Sequence, residues 1–333
     1  MSPAVRNAAE PARPVRIVAC VVTYQRLPQL TVAIERLLAE PVDMIVVVDN
    51  GSTDGSREWL RSLADDRIDV LEPTVNLGGA GGFELALKRA VVERRPDWLM
   101  LQDDDAWPVQ GAIERFRELS LPSDVGGVAA AVYTPSGEIC EMNRPGVNPF
   151  GTLRGVLGAV FRGRRALHVA DEVFSEERTD VDCVSFVGYF VRAALVPSVV
   201  GYPRGEFFVY SDDQLFSFEI RRAGYRNVLV PGIEFCHDTL SKSDTGVFTP
   251  LWRVYFLYRN NIEFYRAMAG RWFALVMLLK IPSWLLRARH YPDPKSYLSV
   301  ARRGIVDGLR RRFDMSLADV QRLGTRAEAT DGR

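Results

Sequence analysis

Four short apolar runs, at residues 17–22, 44–48, 68–71 and 98–101, each stop abruptly at polar or acidic residues, and they limit what this 333-residue chain can fold into. The first two are unbroken and rich in β-branched residues, the mark of strands buried on both faces. Between them Leu30, Ile34, Leu37 and Leu38 recur at helical spacing, and 56–63 and 83–92 also read as helices. Strands alternating with helices through short connections predict a mostly parallel sheet covered by helices, an α/β fold. Ligands of such sheets sit beyond the carboxyl ends of the strands. Thr23, Asp49 and the triplet Asp103-Asp104-Asp105 each follow a strand, so one ligand touched by all of them is the geometric expectation.

The second half is less regular. Strands are expected at 126–132, 184–191 and 228–231, and a segment at 207–210 leads into Ser211-Asp212-Asp213-Gln214. A helix over 214–223 ends at Gly224, and Cys236-His237-Asp238 comes just after the 228–231 strand. The stretch 135–180 has few periodic features and reads as loops with short strands, and beyond Pro250 the pattern is helical. This divides the chain into a loose tail at 1–14, a catalytic domain at 15–248, a helical region at 249–315 and a second tail at 316–333. Residues 1–14 lack the apolar core of a signal peptide.

Three adjacent carboxylates repel one another unless something positive sits among them. On an extended segment alternate side chains point the same way, so Asp103 and Asp105 can converge while Asp104 faces elsewhere. Two carboxylates converging on a hard cation suit Mg²⁺ or Mn²⁺, with diphosphate oxygens completing the shell. A solvated acidic turn is the plainer alternative. His237 would complete such a shell as a neutral imidazole, or serve structurally. Asn76-Leu-Gly-Gly-Ala-Gly-Gly82 reads as a glycine-rich loop that lets backbone approach a ligand and lets the next helix offer its N-terminal NH groups to an anion, or as a tight turn. Asp49 can accept hydrogen bonds from a nucleobase or ribose, while Asp54 suits helix capping equally well. Asp212-Asp213 begins a helix. One carboxylate suffices to cap it, and the second is available as a general base.

The set Val-Thr-Tyr24, Val-Val-Asp49-Asn-Gly-Ser-Thr-Asp54, Asn76-Leu-Gly-Gly-Ala-Gly-Gly-Phe83, Asp103-Asp-Asp105, Ser211-Asp-Asp-Gln214 and Cys236-His-Asp238 resembles the inverting family 2 glycosyltransferases of the GT-A fold, over roughly residues 15 to 265. Within that family, Asn76 to Phe83 and Tyr255-Phe-Leu-Tyr-Arg-Asn260 are most similar to bacterial galactofuranosyltransferases of cell-wall galactan assembly, and rhamnosyltransferases share much of the pattern. The resemblance implies that Asp103, Asp105 and His237 hold a divalent metal, Mn²⁺ or Mg²⁺. It makes Asp213 the general base, with Asp212 beside it. The nucleotide-sugar donor is expected on Thr23, Tyr24 and Arg26, on Asp49 and Asn50, on Asn76, Gly78, Gly79 and Gly82, and on Asp104. Gln214 departs from the acidic or aromatic residues found nearby in the family.

Lysines and arginines balance the acids over the whole chain, so no global charge selects nucleic acid as a partner. From 249 to 312, however, 13 Lys and Arg face 3 Asp and Glu. This surplus, with the apolar stretch 272–286, suits an anionic membrane surface and a polyprenyl-linked or other glycan acceptor, or packing on the catalytic domain or a partner subunit. Lys280 and Pro282 interrupt the stretch, which is short for a transmembrane helix. Four widely spaced cysteines fit neither a zinc site nor a disulfide framework, so a cytoplasmic enzyme at the inner face of the plasma membrane is expected, with oligomerisation open. Two rival functions are a sugar-1-phosphate nucleotidyltransferase and a non-catalytic nucleotide-binding scaffold. The first usually has a glycine-rich basic loop after the first strand, where this chain has Thr23-Tyr-Gln-Arg26.

Overall fold

The structure is a computed structural model that describes residues 14–162, 166–239 and 247–330. Strand β1 (Ile17–Thr23) is buried along its whole length, and its alternate residues serve two cores. Ile17, Ala19 and Val21 pack with Leu30, Ile34 and Leu37 of helix α1 (Leu27–Leu38) on one face. Val18, Cys20 and Val22 pack with Phe83, Ala86 and Leu87 of α3 (Gly78–Arg89) on the other. Each valine, leucine, isoleucine or phenylalanine among them contributes about 1.5–3 kcal/mol when fully buried. Strands β2 (Met44–Asp49), β3 (Ile68–Leu71) and β4 (Trp98–Asp103) join β1 in parallel, in the order β3-β2-β1-β4, with α2 (Ser56–Ser62) between β2 and β3. The chain order reverses beside β1, between β1 and β4, which places a ligand crevice at their carboxyl ends. Pairing of Thr23 with Asp49 and of Val22 with Asp103 aligns those ends.

Beyond β4 the nine-stranded sheet becomes mixed. It continues through β8 (Tyr189–Arg192), β6 (Val125–Tyr133), β9 (Arg226–His237) and β5 (Ala106–Pro108), and β7 (Thr179–Val181) pairs with the start of β9. Helix α4 (Ala112–Glu118) covers the first face, α5 (Leu153–Arg162) lies in the stretch read as loops, and α6 (Asp212–Arg222) precedes β9. Helices α7 (Trp252–Ala269), α8 (Phe273–Leu286), α9 (Pro294–Leu309) and α10 (Leu317–Thr330) close the chain. Val254, Tyr255, Tyr258 and Ile262 of α7 share one buried cluster with Ala80, Phe150, Phe207 and Leu215, so the helical region packs directly on the sheet-bearing part.

Several boundaries differ from the sequence reading. The 184–191 strand shortens to Tyr189–Arg192. The 228–231 strand runs from Arg226 to His237, because a register break between Ala130 and Ala131 of β6 lets Pro231, which has no NH to donate, bulge out without ending the pairing. The 316–333 tail is helical over Leu317–Thr330, held by the buried Val320. Residues 1–13 of the N-terminal tail lie outside the described residues. The glycine-rich loop is also a correction, since Gly78 to Gly82 form the start of α3. The close approach that the sequence reading assigned to a ligand is here made to the protein itself. A Cβ on Gly82 would stand 2.5 Å from Val22 Cγ1, and one on Gly78, whose φ is +70°, would stand 2.1 Å from the Phe208 carbonyl oxygen. Gly78→Ala is therefore expected to destabilise the fold by at least about 2 kcal/mol, read as a lower denaturant midpoint. An unchanged midpoint would show that the Phe208 turn yields.

Candidate active site

The carboxyl ends of β1 and β4 supply the first part of the site. β4 ends at Asp103, and the turn into β5 carries Asp104 and Asp105. Asp104 and Asp105 lie in this turn rather than on an extended segment, and both reach Arg26 Nη1. Asp104 is buried, accepts a 2.8 Å hydrogen bond from Thr23 Oγ1 and a 3.4 Å bond from the Tyr24 backbone NH, and lies 3.3 Å from the Arg26 guanidinium. Burial pushes its pKa up to about 7 even though Arg26 pulls it down. Asp105 pairs with Arg26 through one oxygen and accepts from His237 Nε2 at 2.9 Å through the other. One atom each from Asp103, Asp105 and His237 lie within 4.8 Å of one another. His237 reaches this cluster because β5 and β9 pair antiparallel, with Ala106 opposite His237.

The ring of His237 is oriented from behind. Its Nδ1 stands 2.6 Å from Asn143 Oδ1, and Asn143 Nδ2 donates to Ser185 Oγ at 2.9 Å. The Cys140 thiol donates to the same Asn143 oxygen at 3.0 Å. That oxygen can only accept, so the Nδ1 proton belongs on the bond to Asn143, and the Nε2 lone pair faces Asp105 whenever the ring is neutral. Two carboxylates and an imidazole so oriented fit a divalent cation such as Mn²⁺ or Mg²⁺. Burial opposes protonation of His237, but the Asp105 hydrogen bond overrides it and lifts the pKa to about 9. Asn143 lies in the irregular 135–180 stretch, and no local signal marked it. Replacing such a partner costs about 10- to 100-fold in metal affinity, so Asn143→Ala is expected to weaken Mn²⁺ binding by that factor in calorimetric titration. Wild-type affinity would mean that the ring holds its own orientation.

The predicted donor residues divide into two groups. Thr23, Tyr24, Arg26 and Asp104 meet at the triplet. Asp49, Asn50, Asn76 and the glycines form a neighbouring wall whose side chains brace one another. Asp49 accepts from the Ser52 NH at 2.9 Å and from Arg57 at 3.4 Å. Asn50 donates to the Gly78 carbonyl at 3.0 Å and accepts from the Leu77 NH, while Asn76 Oδ1 accepts from the Gly78 NH at 2.7 Å. Gly79 has open space where a side chain would stand. Asp54 accepts from Ser56 and from the Leu27 NH, so it ties the starts of α2 and α1 together.

Asp212 and Asp213 stand in the first turn of α6, two residues earlier than the helix start read from sequence. Burial pushes both carboxyls well above the ordinary range, Asp213 to about 7, and the nearby charge of Asp103 adds to the effect on each. The pair and the triplet therefore share one electrostatic site. Beside Asp212 opens a cavity of about 490 Å³ lined by Arg204, Glu219, Arg222, Glu263, Arg266 and Arg311. Glu263 pairs with three of these arginines, at 3.2 Å to Arg204, 3.1 Å to Arg266 and 2.7 Å to Arg311.

Residues 18–166 match the profile named Glycosyl transferase family 2. The galactofuranosyltransferase GlfT1 of Mycobacterium tuberculosis is 28% identical over 212 residues, which cover 62% of this chain and 65% of that protein. The match thus spans just under two thirds of the relative's length. Among solved structures, Staphylococcus aureus TarS 1–349 in complex with UDP-GlcNAc superposes with a TM-score of 0.53 at 13% identity, covering 90% of this chain and 91% of that one. The mannosyltransferase PcManGT of Pyrobaculum calidifontis, in complex with GDP-Man and Mn²⁺, gives a TM-score of 0.50 at 17% identity, covering 97% of this chain and 82% of that one. Residues 18–166 thus match the family 2 glycosyltransferase profile, and the chain shares the GT-A fold of these solved glycosyltransferases.

Proposed function

We propose that the protein is a metal-dependent inverting glycosyltransferase that moves galactofuranose from UDP-galactofuranose to a hydroxyl of a cell-envelope glycan or polyprenyl-linked acceptor. The observation that carries this reading is the convergence of Asp103, Asp105 and His237 within 4.8 Å at the carboxyl ends of the strands, in the electrostatic field of the Asp212–Asp213 pair. The similarity to the galactofuranosyltransferase supports the choice of sugar, and the nucleotide-sugar and Mn²⁺ complexes of the structural neighbours support the donor class and the cation. A bound divalent cation supplies charge neutralisation for the departing nucleoside diphosphate. Asp103, Asp105 and the Nε2 atom of His237 are the residues that would hold it. Arg26, now paired with Asp104 and Asp105, is the cation beside the cluster that would face the same phosphates. Asp213, raised toward neutrality by burial, takes the proton from the acceptor hydroxyl as that oxygen attacks the anomeric carbon from the face opposite the leaving group. A single displacement inverts the configuration.

The location we infer is the inner face of the plasma membrane. The helical run Trp252–His290 contains a window apolar enough to cross a bilayer by length and composition, of which 22% is buried. Leu278 and Leu286 are 70% and 64% exposed, and Arg271, Lys280, Arg287 and Arg289 flank them, as in a helix lying in an anionic interface. Flotation with anionic liposomes tests this, and absence of binding overturns it. The chemistry is tested by thermal unfolding with Mn²⁺ and a panel of nucleotide sugars that includes dTDP-rhamnose. A metal-dependent rise with UDP-galactofuranose alone is expected. A rise with dTDP-rhamnose instead reassigns the sugar, and pyrophosphate release would identify a nucleotidyltransferase.

A further inference from the structure

The backbone just before the Asp212–Asp213 pair holds an unfavourable conformation. Phe208, Tyr210 and Ser211 have φ values of 64°, 72° and 63°, in a region where side chains with a Cβ are uncommon and aromatic residues are outliers. Such a conformation persists only when its surroundings over-determine it. Here the constraint comes from α7. The buried Asn260 donates through Nδ2 to the carbonyls of Phe207, Val209 and Tyr210 at 2.9, 2.8 and 3.1 Å. The orientation of that amide is fixed in turn, because Arg259 Nε donates to Asn260 Oδ1 at 2.9 Å. Arg259, also buried, extends Nη2 to the carbonyls of Glu206 and Phe207 at 2.7 and 3.1 Å, with its guanidinium against the rings of Tyr255, Phe256 and Phe313. On its outer side the same turn accepts a 3.1 Å bond from the Ala80 NH of the glycine-rich segment through the Phe208 carbonyl. At its end it delivers the two carboxylates.

We propose that Asn260, seated by Arg259, is a positioning residue for the Asp212–Asp213 pair: it ties three carbonyls of the left-handed turn and so sets where the two carboxylates stand relative to the metal cluster and the donor wall. This rests on Asp213 acting as the general base. Asn260 itself touches neither donor nor acceptor in this reading, and its effect passes through the turn. A displacement of about 1 Å at a reacting group costs on the order of a hundredfold in rate, so a loosened turn is felt in kcat and not in donor affinity.

The test compares the full chain with Asn260→Ala, and with Asn260→Ala combined with Ser211→Gly, at a temperature where all are folded. Amide hydrogen exchange over 205–215 and at Ala80 is measured without substrate, and UDP release is measured with Mn²⁺, UDP-galactofuranose and an alkyl galactofuranoside as probe acceptor. Expected results for Asn260→Ala are faster exchange in both segments, kcat lower by about a hundredfold, and donor KM within about twofold of wild type. Ser211→Gly in that background recovers much of the loss, because glycine takes a positive φ without a steric penalty. A merely structural asparagine would lower the unfolding temperature and leave kcat of the folded enzyme unchanged. Unchanged exchange over 205–215 overturns the proposal by itself, as does a loss confined to donor KM. If Asn260→Ala does not fold, Arg259→Lys, which removes both the bond that seats Asn260 and the Nη2 bonds to the Glu206 and Phe207 carbonyls while keeping the charge, takes its place, with the same outcomes read for the Arg259–Asn260 clamp as a unit. If Asp213→Asn keeps its turnover, the base assignment fails, while the exchange result still judges the clamp.

Discussion

Replacing Asp213 by asparagine is expected to lower turnover by at least ~10²-fold, the lower end of what a positioned base supplies, and to leave Mn²⁺-dependent donor stabilisation intact. Asparagine has nearly the same shape, and its side-chain oxygen can still accept the 2.7 Å bond from the Gln214 NH, so the start of α6 is preserved. Only the ability to take a proton is lost. The pH profile carries the same information. Burial raises the Asp213 carboxyl to about 7, so wild-type turnover falls as pH drops below that value and the base becomes protonated. A cation held next to Asp103 draws that limb downward, since opposite charge favours the ionised form. The sign for stability is opposite to that of a salt-bridged carboxylate. A folded carboxyl with a raised pKa binds protons that the unfolded chain has released, so this site's contribution to stability falls as pH rises from the ordinary carboxylate range through about 7. Asp213→Asn removes the charge, and at pH 8 the variant should be at least as stable as wild type. Near-wild-type turnover in Asp213→Asn would remove Asp213 from the chemistry.

The second large effect belongs to Asp105. In the wild type, donor at a hundred times its dissociation constant should add ~2.7 kcal/mol of stability in the presence of Mn²⁺. In Asp105→Ala that increment should vanish. Asp105 contacts both His237 and Arg26, so its loss removes a proposed metal ligand and two further constraints together. His237 loses the interaction that holds its pKa near 9, and its imidazole becomes neutral at lower pH. Arg26 keeps Asp104 as its partner at 3.3 Å. A retained metal-dependent shift would take Asp105 out of the metal site. A shift lost from metal-free donor binding as well would point to collapse of the pocket, which a far-ultraviolet spectrum and the unfolding temperature without ligand would reveal.

What the sequence determined by itself was local. Strands buried on both faces need unbroken apolar runs, so β1, β2 and β4 were readable one residue at a time, and their parallel order followed from the helices between them. Alternation along the backbone suggested that Asp103 and Asp105 converge while Asp104 faces elsewhere; in the structure Asp103 and Asp105 cluster with His237 and Asp104 turns to Thr23, although Asp104 and Asp105 lie in a turn and share Arg26. Tertiary structure decided the rest, because the deciding contacts join positions far apart in the chain. His237 lies on a strand that sequence reasoning ended at Pro231, and it is oriented by Asn143, 94 residues away. Val22 and the Phe208 carbonyl, not a ligand alone, require the glycines at 82 and 78, and this packing makes the apparent loop the first turns of a helix. Arg259 and Asn260 read in the sequence as part of a helical, basic C-terminal region and of the Tyr255 to Asn260 resemblance, and neither gave them a role. Burial turned their polar groups inward, where the Asn260 amide and Arg259 Nη2 meet the carbonyls of the turn that carries the acidic pair.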